Sequence, residues 1–249
     1  PLTPPHPTLQ LPLCTIEESE YIFLDNVARI NEQLGHVRAA SNGHTGVKRG
    51  VFTLDAEWDV DMSGTGHVQR SGHVAVIQLG FFDFEGKPKA RVLKLKRRVK
   101  PALPRGLLEL FADPGLTFYG RCIDADLAKI GRDWGCAKQL KKVKRVDLGR
   151  MASKRNLTRS TVSLEQLVAV TLGKQLSKWG QVGHWSGKLM RDQIEYAAMD
   201  VLEPLKVYLH LAGLPDLSIR IDPQHAVPNT QVFVVPSTGS VTNMSTRLA

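Results

Sequence analysis

A mixed α/β sheet flanked by α-helices is the fold class that this sequence predicts, on three observations. Three strand-length apolar runs, "VFTLDAEW", "HVAVIQLGFF" and "ARVLKLKRRV", follow one another across loops carrying Gly, Asp and Pro. A further run, "LTFYGRC", passes directly into the helical pattern "DADLAKIGRDWG". Two more helical segments, "SLEQLVAVTLG" and "RDQIEYAAMDVLEPLKVYLHLAGL", close the series. Strands that first neighbour one another and then alternate with helices build a sheet covered by helices.

Taken in order, residues 1–15, "PLTPPHPTLQLPLCT", read as a Pro-rich N-terminal extension, extended or disordered. A helix is expected next, over "TIEESEYIFLDNVARINEQL", with Thr15 as N-cap and Phe23, Val27, Ile30 and Leu34 at helical spacing. "GHVRAASNGHTGVKRG" reads as a polar loop that delivers the chain to the first strand, and "DVDMSGTGHVQRSGH" as a long loop after it. "PRGLLELFA" predicts a short helix and "KRVDL" a short further strand, which brings the sheet to about five strands. Residues 16–214 form one domain on this reading. From 215 to 249 charges thin out and Pro, Ser, Thr and Asn dominate, as in a tail or linker, with "QVFVV" from Gln231 as a short apolar island.

The charge balance narrows the function classes. Lys+Arg 33 against Asp+Glu 24 gives a net charge of +9 and a pI near 9.6, which favours a polyanionic partner. Cys14, Cys122 and Cys136 are widely spaced, with no CxxC pair, so neither a disulfide framework nor a structural zinc site is indicated. That usage predicts an intracellular protein, with nothing to choose between nucleus and cytoplasm. "VAVIQLGFF" is too short to span a bilayer, so no membrane partner is expected. The chain opens on Pro, which predicts a piece of a longer polypeptide or complex.

The acids are less ordinary than the bulk numbers. Asp55 and Glu57 lie two apart in a strand pattern, so their side chains share one face. Asp is depleted in strands, and adjacent carboxylates raise the cost of ionising one another. Asp126 falls at the start of the helix after "LTFYGRC", a position that lines clefts in α/β folds. Tyr196 and Asp200 stand at i and i+4 and share a helix face. Singly, the last three have plain explanations as a cap and as members of an amphipathic helix.

Together, and in this order, the motifs "LDAEWD", "YGRCIDADLAKI" and "DQIEYAAMD" resemble those of the DEDDy 3′→5′ exonucleases of the ribonuclease H-like superfamily. The likeness is to the branch with ribonuclease D and the Werner syndrome protein's exonuclease domain, and covers roughly Val51 to Tyr208. "VAVIQLG", "SLEQLVAVTLGKQL" and "HWSGKLMRDQ" are similar to that branch as well. Four positions depart from it: Arg121 and Cys122 stand where the family often has small residues, and Asp59 and Asp61 are acids it does not need.

The resemblance implies a ribonuclease H-like sheet and hydrolysis of single-stranded RNA or DNA from the 3′ end, releasing nucleoside 5′-monophosphates. It implies two divalent ions, Mg²⁺ or Mn²⁺, held by Asp55, Glu57, Asp126 and Asp200. Hard oxygen ligands suit such ions, whose charge offsets the carboxylate repulsion. Asp55 would bridge both ions, Glu57 and Asp200 would hold the one that carries the nucleophilic water, and Tyr196 would orient that water. Basic runs at 94–100, 138–145 and 153–159 are candidate phosphate contacts. Lys174, Lys178 and His184 are candidate substrate contacts, and Trp185 a candidate base-stacking side chain. The alternative is a fold of this kind that has lost its chemistry and serves as a nucleic-acid-binding module. It predicts that one of the five side chains is missing, and all five are present.

Overall fold

The computed structural model describes residues 11–65, 67–96, 102–177 and 183–217. The chain divides into a unit Pro1–Pro215 and a unit Asp216–Ala249. Nearly all of the second, including "QVFVV", lies outside the described residues.

The sheet has six strands. After a 3₁₀ turn at Glu18–Glu20 come β1 (Tyr21–Leu24), α1 (Val27–Gly43), β2 (Val51–Met62), β3 (Val68–Phe82) and β4 (Pro88–Lys94). Then follow α2 (Arg105–Ala112), β5 (Thr117–Gly120), α3 (Ile123–Asp133), α4 (Ala137–Leu140), β6 (Arg145–Asp147) and α5 (Leu148–Ser153). α6 (Leu164–Leu172) and α7 (Arg191–Ala212) complete it. The strand order is β1-β4-β3-β2-β5-β6, with β2 to β4 antiparallel and β1, β5 and β6 paired parallel to their neighbours. The α/β class is as expected, with one strand more.

The extra strand corrects the reading of 15–34 as one helix. Tyr21–Leu24 pairs with Ala90–Leu93 of β4, and the helix begins only at Val27. Asn26 decides the boundary, since its side chain accepts from the backbone N–H groups of Ala28 and Arg29. The helix then runs through most of the expected loop, because Ile30, Leu34, Val37 and Ala40 continue one buried stripe. The long loop after the first motif is also corrected. Much of it extends the β2–β3 hairpin, with Val60 opposite Ser71 and Asp61 opposite Arg70, across register shifts that begin after Glu57.

Helices cover both faces of the sheet. Phe52, Leu54, Ala56, Ile77 and Leu79 pack on one side with residues of α1, α2 and α3. On the other side Ala197, Ala198 and Val201 of α7 meet Val76 and Val92. Small residues let α7 come close. A Cβ on Gly80 would stand 2.6 Å from the Val201 carbonyl oxygen, and Thr53 Oγ1 donates to that same oxygen at 2.6 Å. Residues 11–15 are not a free extension: Cys14 N donates to the Gln175 carbonyl and Gln175 N to that of Pro12, both at 2.9 Å. This strap ties down the segment that follows α6.

Candidate active site

The alternation of β2 sends Leu54 and Ala56 into the apolar core and Asp55 and Glu57 to the face that α7 covers. α7 has Tyr196 and Asp200 one turn apart on its sheet-facing side, both buried. Ligand oxygens of Asp55, Glu57 and Asp200 consequently all lie within 4.8 Å of one another. These three residues are 145 positions apart in the chain from first to last and meet only because α7 docks on β2 and β3.

Asp126 comes from the first turn of α3, where β5 turns a corner. That corner passes through Cys122 at φ 58°, a left-handed conformation uncommon outside Gly. Asp126 is 6% exposed, and its Oδ2 has no hydrogen-bond partner among the described residues. A buried acceptor left unpaired is costly, so its geometry leaves a place for a ligand.

The electrostatics agree. Burial pushes Asp55 up to about 7 and Asp126 up to about 8, the latter helped by the charge of Asp55. Burial, then the charges of Asp55, Asp200 and Asp126, push Glu57 up to about 10. Asp200 is raised well above the carboxylate range by burial and by Asp55, against a hydrogen bond from Tyr196. Burial and Asp200 raise the Tyr196 phenol too, so it stays protonated and faces Asp200 as a hydrogen-bond donor. Four acids that resist ionisation together, with only oxygen donors facing one another, fit a hard divalent cation.

A cleft of about 370 Å³ opens beside the cluster, lined by Asp55, Tyr196 and Asp200 and by Arg121, Ser163, Leu164, Leu176 and Ser177. Apart from Asp55, Tyr196 and Asp200, none of these liners was predicted. Arg121 had left a trace in the sequence, as a departure from the resembling family. Leu176 ended a segment that resembles the same family, and Ser177 had left no trace, since its place depends on the strap at Cys14.

Of the expected substrate contacts, Trp185 is corrected. It is 2% exposed and packs against Tyr196 with ring centroids 6.2 Å apart, so it has no face to offer a base. Its carbonyl also accepts from the buried Lys94 ammonium. The loop around it is held by Asp59, which accepts from Ser186 N at 3.0 Å and from Ser186 Oγ. Burial works against the Asp59 charge, but these hydrogen bonds outweigh it and keep its carboxyl below the usual range. His184 is exposed beside Asp59. Lys174 is half-buried near Cys14 rather than on the cleft wall, and Lys178 lies outside the described residues.

The lysines of 138–144 sit around α4, before β6, while Asp126 belongs to the first turn of α3. Because β6 runs parallel to β5, that basic patch lies at the end of the sheet away from the carboxylates. Much of the 94–100 run lies outside the described residues. In the 153–159 run Arg155 is committed to the carbonyls of Leu211 and Met151.

The sequence model of a 3′-5′ exonuclease family matches residues 29–213, which takes in β2, α3 and α7 whole. This chain belongs to that family. No curated protein matches the sequence significantly. Among solved structures, this chain shares 19% identity with the Nibbler EXO domain of Aedes aegypti, over 80% of this chain and 90% of that one, with a TM-score of 0.57. The catalytic core of RRP6 from Trypanosoma brucei is 17% identical over 82% of this chain and 49% of that one, TM-score 0.57. Escherichia coli RNase D is 19% identical over 77% and 45%, TM-score 0.56. These three share the fold, and the chain spans about half the length of the last two. No helix among the described residues is long and apolar enough to cross a membrane.

Proposed function

We propose that this chain is a metal-dependent 3′→5′ exonuclease of the DEDDy type, acting on single-stranded RNA or DNA and releasing nucleoside 5′-monophosphates. The observation that carries this reading is the meeting of Asp55, Glu57 and Asp200 oxygens within 4.8 Å, with buried Asp126, its Oδ2 unpaired among the described residues, near enough to feel the charge of Asp55. Asp55, Glu57 and Asp200 would hold one divalent ion, and Asp55 with Asp126 a second, Mg²⁺ or Mn²⁺. Such ions supply charge for the developing oxyanions and a more acidic water.

The chain's own side chains do the rest. Tyr196 gives its hydrogen to Asp200, so its phenol oxygen keeps lone pairs free to accept from a water and fix its direction. Trp185 packs against the Tyr196 ring at a tilt, with centroids 6.2 Å apart. Ser163, Leu164, Leu176 and Ser177 wall the cleft in which a strand end would lie. E. coli RNase D is an exoribonuclease, and RNA is the substrate we would try first.

Incubating a 5′-labelled oligoribonucleotide with the protein and Mn²⁺ or Mg²⁺ tests the proposal. A ladder shortening from the 3′ end, abolished by EDTA and by a blocked 3′ end, is the expected result. Binding without shortening would instead favour an inactive nucleic-acid-binding module, and internal cuts an endonuclease.

A further inference from the structure

Arg121 is the one cation among the described residues that line the cleft. It stands in the β5–α3 corner, where the resembling family often has a small residue, and the carboxylate chemistry makes no use of it. Its fixing is elaborate. Nη1 donates to Asp147 Oδ2 at 2.8 Å and to Cys122 Sγ at 3.3 Å, and Nε donates to the Val162 carbonyl. Asp147 is buried, and also accepts from Cys122 N at 2.8 Å and Arg150 N at 3.0 Å. A Cβ at Gly149 would stand 3.2 Å from Arg121 Nε and 2.6 Å from the Ser160 carbonyl, so the glycine makes the room this guanidinium occupies.

A guanidinium has five N–H donors. Those on Nε and Nη1 are engaged, and the two on Nη2 have no partner among the described residues. The side chain is only 17% exposed, and it lines the same cleft as Asp55, Tyr196 and Asp200. A tethered guanidinium loses little freedom on gaining a ligand, and its remaining Nη2 can donate to a phosphate oxygen. Any strand entering this acidic cleft carries phosphates besides the scissile one, and those need a counter-charge that the carboxylates do not give.

We propose that Arg121 is a phosphate contact of the substrate, holding a backbone phosphate of the bound strand beside the carboxylate cluster. This rests on the exonuclease reading. A salt-dependence experiment tests it. Binding of a 5′-fluorescein 12-mer oligoribonucleotide is measured from low to high salt with Asp55→Asn protein, so that the strand is not cut. The same is done with Arg121→Gln and Arg121→Lys added.

Arg121→Gln should weaken binding at low salt about ten-fold. It should also reduce the slope of log K against log salt by about 1, as for the loss of one phosphate contact. Arg121→Lys should keep the slope. In protein with Asp55 intact, Arg121→Gln should raise KM with kcat nearly unchanged. Weaker inhibition by a nucleoside 5′-monophosphate in Arg121→Gln would place the contact on the terminal phosphate, and unchanged inhibition on an internal one.

Should Arg121→Gln not fold, the Nε–H resonance of Arg121, assigned by its loss in Arg121→Lys, should shift when the 12-mer binds. An unmoved resonance, or an unchanged salt slope in a variant that still cleaves, would reduce Arg121 to an anchor of the corner. Absence of metal-dependent cleavage by the unsubstituted protein would sink the exonuclease reading, and this contact with it.

Discussion

The two faces of β2 pull stability in opposite directions. Leu54 and Ala56 are 1% and 4% exposed in the apolar core. Removing a leucine side chain from water stabilises by about 1.5–3 kcal/mol. On the next positions Asp55 and Glu57 are pressed among other acids and resist ionisation. One face explains why the strand folds, and the other fits the cation site proposed for it. Local rules broken at one place, with the rest of the strand consistent, mark a functional site.

The comparison breaks most sharply at the acids themselves. Asp55→Asn or Asp200→Asn should lower cleavage by about 10³-fold or more, the loss expected when an ion worth several kcal/mol is displaced. The same substitutions should leave the metal-free fold as stable as before or more so, since they remove like-charge repulsion. Cleavage at the wild-type rate, or a large fall in melting temperature, would contradict the contrast. Leu54→Ala is the opposite case. It should cost about 2–5 kcal/mol in chemical denaturation, with activity retained in the folded fraction.

Tyr196→Phe tests a neighbour that belongs to both faces of the argument, packed on Trp185 and bonded to Asp200. It should slow single-turnover cleavage by about 100-fold with the melting temperature little changed. An unchanged rate would leave the tyrosine as packing.

The smallest effect is a pH dependence. Asp55 and Asp126 have folded pKa values raised to about 7 and about 8, above ordinary carboxylates. The folded state thus holds protons that the unfolded chain has released. Their contribution to stability is fully present below about pH 4, and fades as pH rises through the folded values. Divalent cation offsets the loss where the acids are ionised. Mn²⁺ at about a hundred times its dissociation constant should raise the melting temperature by about 5–10 °C at pH 8.5, and by much less at pH 5.5. An equal shift at both values would show that the cation binds elsewhere.

Much of the fold was legible, and its misreadings share a cause. The strand runs around the first motif and the long last helix follow from apolar periodicity. β1 was missed because Tyr21–Leu24 pairs with β4, some 70 residues later, and its four residues also fit a helical stripe. The α1 extension was missed because Gly35 and the polar residues around it look like a loop, although Val37 and Ala40 keep the buried face. Trp185 was misjudged for a similar reason. Its surroundings are charged and Gly-rich in sequence, yet Asp59 and Lys94 hold that loop against the sheet.

The sequence by itself determined which side chains are paired on one strand face and one helix face. Carboxylates at i and i+2 on a strand, and a phenol and a carboxylate at i and i+4 on a helix, have their relative directions set by backbone geometry alone. Only the tertiary structure decided that these pairs meet, that Asp126 is buried near enough to feel Asp55, and that an arginine fixed by Asp147 shares their cleft. Those facts depend on contacts between segments far apart in the chain, such as Gly80 against Val201 and the strap at Cys14 against Gln175. No local pattern reports them, because the energy that fixes them arises only when the segments pack.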